Sequence, residues 1–68
     1  MNTEIKEKLI NCITESIEEL QQGIEEMQEL RVKFFSNPKR RERIEAWIAN
    51  DQCQIMDYQD ELKKLKNQ

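Results

Sequence analysis

The sequence predicts an all-α protein, and three observations lead to this conclusion. The 68 residues include one Gly and one Pro, too few turn residues to connect the many short strands of a β-sandwich or barrel. Apolar residues recur at alternating spacings of three and four, the pattern of helices that pack against helices. The one strong break lies at Asn37 and Pro38. We therefore expect a single domain over 1–68: a helix over about 4–34, a turn over 35–37 and a second helix over about 38–66.

The first helix carries an apolar seam with heptad spacing. Thr3 is the predicted N-cap, and Glu4 and Glu7 follow in the first turns, where the helix dipole favours negative charge. Small residues such as Ser16 and Gly23 flank the seam, so that more than one neighbouring helix can approach. Gly23 either permits such a close approach or is a surface glycine without a packing role. The seam residues of this helix are Ile10, Ile13, Ile17, Leu20, Ile24 and Met27.

The second helix is expected to begin at Pro38 with Asn37 as its N-cap. Proline presets a helical φ at the first position of a helix, and asparagine accepts a hydrogen bond from a free N–H group of the first turn. The seam continues along this helix with one polar interruption, Asp51, which costs free energy to bury unpaired. We expect Asp51 to turn toward solvent or to pair locally; the alternative is a polar layer that sets the register of the helices. The seam residues are Ile44, Ile48, Ile55, Tyr58, Leu62 and Leu65.

A second, shallower apolar stripe on the later helix predicts self-association. It consists of Ala46, Ala49, Cys53 and Met56, offset from the seam, with Trp47 at the edge of the seam. One partner helix cannot cover both stripes, and chains of this size generally need oligomerisation when they lack disulfides and metals. We predict a homodimeric four-helix bundle built from two antiparallel helical hairpins. Whether the two hairpins lie parallel or antiparallel to each other remains open.

Two pairs of side chains are expected to be packed. Phe34 and Phe35 precede the turn and are predicted to close the end of the seam, with contact to a partner protein as the alternative. Cys12 and Cys53 would lie roughly 10 Å apart along the hairpin axis, too far for a disulfide within one chain. We expect them to be small apolar fillers, and the alternative is a redox or intersubunit role.

Charge is distributed unevenly along the predicted hairpin. Residues 31–43, here called the basic tip, hold six basic residues and one acidic residue, a local charge of +5. Residues 15–29, the acidic segment, hold six glutamates and no basic residue. The basic tip includes a helix start, where the dipole disfavours cations, so helix stability does not explain it. It either contacts phosphate or an acidic partner, or pairs with nearby glutamates and is solvated. The candidate contact residues are Arg31, Lys33, Lys39, Arg40, Arg41 and Arg43.

The chain lacks the residue patterns of an enzyme. It has no His, no Gly-rich phosphate loop, no Cys/His metal spacing and no nucleophile beside a base. We therefore expect no catalytic residue, no cofactor and no metal ligand. Neither a membrane span nor a signal peptide is visible, and two cysteines do not make a secreted disulfide framework, so we expect a cytoplasmic protein without membrane contact.

The predicted hairpin around Asn37 and Pro38 resembles in architecture the small plasmid copy-number RNA-binding proteins of the Rop type, which are dimeric four-helix bundles. It departs from them where the acidic segment replaces the basic flank that would bind RNA. In size and style the chain resembles the accessory early proteins of temperate, lambdoid-type bacteriophages. That resemblance implies an influence on host takeover or on lytic and lysogenic development through protein contacts.

We thus expect a non-enzymatic regulatory or adaptor protein that works through protein–protein interaction. Its predicted partners are a second copy of itself and a host or regulatory protein. The alternative is a nucleic-acid-binding regulator that uses the basic tip. A third possibility is a structural subunit of a larger coiled-coil complex.

Overall fold

The computed structural model describes residues 2–67 and contains two helices. Helix α1 spans Thr3–Lys33 and helix α2 spans Pro38–Lys66, joined by a connection over 34–37. No strand occurs within these residues, and the predicted all-α class is confirmed. The helices pack side by side as an antiparallel hairpin, a rod with extents of 52 × 14 × 11 Å. The first helix begins and ends one residue earlier than expected.

Asparagine side chains cap the start of both helices. The Asn2 side chain accepts a hydrogen bond from the Glu4 N–H at 2.8 Å, so the prediction of Thr3 as the cap is wrong, and Thr3 is the first helical residue. Asparagine ranks above threonine at this position, which accounts for the shift. At α2 the Asn37 side chain accepts from the Arg40 N–H at 3.3 Å, with Pro38 in the first turn as the sequence predicts.

The core of the hairpin is a single narrow seam. Among the described residues the buried apolar side chains are Ile13, Ile17 and Ile55, and none is completely enclosed. All other predicted seam residues are half-buried. Those that pack against the buried cluster are Leu20, Ile24, Tyr58, Leu62 and Leu65. The remaining half-buried seam residues are Ile10, Met27, Ile44 and Ile48.

Asp51 lies inside this seam. The residue is only 8% exposed, and it makes no hydrogen bond or ion pair with any residue over 2–67. The expectation that it turns to solvent or pairs locally is therefore wrong. Gly23 lies opposite it on α1: Asp51 Oδ2 is 3.8 Å from the point that a Cβ on Gly23 would occupy.

Gly23 thus faces the Asp51 carboxylate across the two helices. Gly23 is itself half-buried, which excludes the reading of a surface glycine without a packing role. Over the described residues no side-chain oxygen is both fully enclosed and unpaired. The carboxylate oxygens consequently keep a small area open to water, which lowers the cost of placing a charge at this level of the seam.

Three side chains expected to be packed are exposed. Phe35 is 56% exposed and does not close the seam, whereas Phe34 is half-buried. Phe35 belongs to the connection after α1. The guanidinium carbon of Arg41 lies 4.9 Å from the centroid of the Phe35 ring. Cys12 and Cys53 are free thiols on the exposed surface of the single hairpin, so they do not act as small apolar fillers between α1 and α2. Both lie outside the seam, which is the one stripe that the neighbouring helix covers.

A single hairpin leaves much apolar surface exposed. Its accessible area is 5595 Å², whereas a compact protein of its 8.3 kDa mass exposes about 4,600 Å². Its radius of gyration is 15.6 Å, against about 11 Å for a compact domain of this length. Neither helix combines the length and apolar character needed to cross a membrane over the described residues. The large exposed apolar residues are Ile5, Leu9, Leu30, Val32, Phe35, Trp47 and Met56.

The replacement Gly23→Ala is expected to stabilise the hairpin. The added methyl group would meet Asp51 Oδ2 at 3.8 Å, an ordinary van der Waals distance. Alanine is favoured over glycine in a helix interior by up to about 1 kcal/mol, which corresponds to a rise in Tm of roughly 4–8 °C. Thermal unfolding followed by circular dichroism measures this change.

The exposed residue Gln21 offers a matched control on the same helix. Gln21→Ala should change the stability by no more than a few tenths of a kcal/mol, because the helix propensities of the two residues are similar. A fall in Tm for Gly23→Ala would mean that something approaches Gly23 more closely than α2 does.

Candidate functional site

An apolar groove lies at the closed end of the hairpin, where α1 ends and α2 begins. Its volume is about 280 Å³, close to the lower end of the range for ligand pockets. We call it the tip groove. Its lining residues are Met27, Leu30, Phe34, Arg40, Arg43, Ile44 and Trp47.

Close to the groove the heptad seam of α1 loses one apolar residue. One heptad after Ile24, the seam position on α1 is taken by Arg31. The Arg31 Nε donates to Glu45 Oε1 at 3.0 Å instead of filling the space between the helices. Arg31 therefore adds no apolar side chain to the seam at this level, and it does not belong to the groove lining.

Trp47 forms the most exposed apolar wall of the groove. It is 58% exposed, and it is the only tryptophan of the chain. Leu30 is 38% exposed, and Met27 and Ile44 are half-buried. A large aromatic side chain beside a partly open apolar floor is the arrangement that protein interfaces use for their energetically important contacts.

Two of the six candidate basic residues are paired within the chain. Glu45 Oε1 accepts from Arg31, and it lies 3.9 Å from Arg41 Nε. The Arg41 Nη1 also donates to the Phe35 carbonyl oxygen at 3.1 Å. For Arg31 and Arg41 the arrangement therefore favours a structural role over partner contact.

Two other basic residues lie against the ring of Phe34. The Arg40 guanidinium carbon is 4.7 Å from the ring centroid and the Lys33 Nζ is 5.7 Å from it. These are cation–π distances, and at exposed sites such contacts are weak, about 0.5–1 kcal/mol each. These contacts hold the two cationic side chains in place beside the groove, but they do not neutralise the positive charges.

Lys39 and Arg43 make no ion pair or hydrogen bond with any residue over 2–67. Both are exposed. Arg43 lines the tip groove one helical turn before Trp47, and Lys39 lies in the first turn of α2. The uncompensated positive charge of the basic tip is therefore concentrated beside the apolar groove.

The sequence indicated the parts of this groove separately but did not join them. Trp47 is predicted at the edge of the second seam, whereas Leu30 is not among the predicted seam or contact residues. The signal that connects them is the spacing of four that relates Leu30 to Phe34 and Arg43 to Trp47, on either side of the turn. Two such pairs close to one tight connection face each other when the chain folds back.

Removing the carboxylate of Glu45 is expected to have a small, salt-dependent effect on stability. Glu45→Gln deprives Arg31 and Arg41 of their shared partner, whose side chain is 45% exposed. Exposed ion pairs contribute at most about 1 kcal/mol, and salt screens them. Urea unfolding at about 20 mM and about 500 mM salt should show a loss that shrinks at the higher concentration.

Glu42→Gln is the matched control, because Glu42 is exposed on the same helix and makes no ion pair over the described residues. It should leave the free energy of unfolding nearly unchanged at both salt concentrations. An equal loss for the two variants would contradict the role assigned to Glu45.

Comparisons with protein families, with curated proteins and with solved structures found no match to this chain. Over the described residues no group of three or more His, Cys, Asp or Glu side chains is arranged to hold a metal ion. The tip groove and the basic tip are thus the surface features on which a functional proposal for this chain is based.

Proposed function

We propose that this chain is a non-enzymatic regulatory or adaptor protein of the cytoplasm that acts by protein–protein interaction as a homodimeric four-helix bundle. The observation that carries the proposal is the apolar surface that one hairpin leaves exposed. The accessible area of 5595 Å² exceeds the area of a compact chain of this mass by about 1,000 Å². A stable interface of standard size covers about 800 Å² on each partner.

A second hairpin is the simplest cover for this surface. It offers the same long apolar stripe, and two-fold symmetric dimers are the commonest assemblies. The stripe of Ala46, Ala49, Cys53 and Met56 is exposed in the single hairpin, as expected for residues that α1 does not reach. Four-helix bundles bury side chains of this kind between neighbouring helices.

Charge favours an antiparallel arrangement of the two hairpins. Each basic tip carries a local charge of +5, and a parallel pair would bring two such clusters together. In an antiparallel pair they are separated by much of the 52 Å length of the rod. This distance is several times the Debye length of about 8 Å at physiological salt, so their repulsion is screened.

The partner in this proposal is a host or regulatory protein. The resemblance in size and style to accessory early proteins of temperate bacteriophages supports a role in host takeover or in lytic and lysogenic development. The basic tip is the surface that supports recognition, because Lys39 and Arg43 have no partner over residues 2–67.

A nucleic-acid-binding regulator is the second candidate, favoured by the same two unpaired cations near the start of α2. Helix starts attract phosphate groups through their free N–H groups and their dipole. The acidic segment stands against it, since six glutamates without a basic residue repel a long duplex. Contact would be confined to the tip.

A gel-shift experiment with duplex DNA and hairpin RNA separates the two candidates. The protein-interaction proposal predicts no shift, even at low salt. A shift whose affinity falls steeply with added salt, and which Lys39→Gln and Arg43→Gln weaken, would instead support the nucleic-acid regulator.

Sedimentation at micromolar concentrations tests the homodimer. We expect a species of twice the 8.3 kDa chain mass and a Tm that rises with protein concentration. Leu9, 40% exposed beside the first seam, is expected to lie in the interface. Leu9→Glu should weaken dimerisation by about tenfold or more, because an unpaired carboxylate is costly to bury.

Gln21→Glu is the matched control, since Gln21 is exposed on the opposite flank of the same seam and gains the same charge. It should leave the dimer intact. A well-ordered single hairpin at every concentration would refute the homodimer.

A further inference from the structure

We infer that the tip groove is a docking site for an acidic protein segment that inserts an apolar side chain between Leu30 and Trp47. This inference rests on the proposed function in that it takes the partner to be a protein. It adds the place of contact and the chemistry of the partner segment.

The shape of the groove favours one large apolar anchor. Its volume of about 280 Å³ accommodates a leucine- or phenylalanine-sized side chain with room for part of its backbone. Met27 and Ile44 form a half-buried apolar floor, and Trp47 is an exposed wall. Tryptophan and arginine are the residues most enriched at sites that dominate binding energy.

The charge around the groove selects an acidic partner. Arg40 and Arg43 belong to its lining, and Lys39 lies one residue before Arg40. Glu45 compensates Arg31 and Arg41 on the other side of the seam, but no acidic residue belongs to the groove lining. Carboxylates beside an apolar anchor would therefore gain charge-assisted contacts that a neutral or basic segment would not.

A second copy of the chain matches this charge poorly. In the antiparallel pair the tip of one hairpin lies near the open end of the other, formed by residues 3–8 and 57–66. These segments carry five acidic and five basic residues, so they offer no net negative charge to the groove. The tip of a second copy carries the same +5 charge, so charge repulsion disfavours its binding in the groove more strongly.

The groove also differs from a nucleic-acid site. Its floor is apolar. Met27 belongs to the acidic segment and Leu30 directly follows it, and Glu26 and Glu29 of this segment repel a phosphate backbone. An acidic peptide carries fewer negative charges than a duplex. It also supplies an apolar anchor, which a duplex lacks.

The test is a selection of displayed random peptides of about 16 residues on the full-length wild-type protein. We expect enriched sequences with one or two large apolar residues flanked by several Asp or Glu. A fluorescein-labelled copy of one of them is then titrated by anisotropy. Because Trp47 is the only tryptophan, its emission should shift to shorter wavelength as the peptide binds.

Substitutions in the groove should weaken this binding while matched substitutions elsewhere do not. We expect Trp47→Ala to lower the affinity by about tenfold or more and Arg43→Gln by about threefold to tenfold. Val32→Ala, at a residue 78% exposed outside the groove, and Lys64→Gln near the far end of α2, should bind as the wild type does.

Several results would overturn the inference: no enriched peptide, enriched peptides without acidic residues, or equal affinity for the groove variants and the controls. Displacement of the labelled peptide by hairpin RNA at lower concentration than by the unlabelled peptide would assign the groove to nucleic acid.

Sedimentation of the same samples separates this inference from the homodimer. If the Trp47→Ala variant stays dimeric but no longer binds the peptide, the result supports docking at the groove. Trp47→Ala that becomes monomeric would show that a second copy fills the groove and would overturn the inference. A monomeric wild type that still binds the peptide through Trp47 and Arg43 would leave the inference standing and refute the homodimer.

Discussion

Two helices that pack side by side can shield only one stripe of each other from water. In this hairpin the shielded stripe buries Ile13, Ile17 and Ile55 among the described residues and leaves the rest of the apolar surface open. Folding offsets a large loss of chain entropy mainly through buried apolar area, so such a thin core provides little surplus stability. The need for a further layer follows from this limit, and it is the physical basis for proposing a homodimer.

The features that sequence predicts well here are those set by local spacing. The helices, the turn at Asn37 and Pro38, and the seam depend on residues three or four positions apart, and each is visible in a short window of sequence. The environment of Asp51 depends on Gly23, far away in the sequence, which no helical period relates to it. The tip groove likewise depends on which side chains face each other across the turn. Features of this kind require the pairing of two segments, so spacing along one helix cannot predict them.

The shaft and the tip of the rod differ in chemistry, and the proposed function assigns them different tasks. The shaft, the part of the rod outside the basic tip, presents long apolar stripes, which suit a second copy of the same chain. The tip presents a small apolar groove beneath uncompensated arginines, which suits an acidic partner. Arg31 takes a seam position between these two regions and pairs with Glu45, so it adds a charge there in place of an apolar side chain.

The pairing of Asp51 with Gly23 has a consequence for how the two helices can slide past one another. A slip of one heptad would move Asp51 from Gly23 to Ser16 or to Leu30. In the second case a leucine side chain would face the carboxylate, and the short connection over 34–37 leaves little slack for either shift. Together with the short connection, the buried carboxylate therefore favours the alignment in which Asp51 faces Gly23 over the alignments shifted by one heptad.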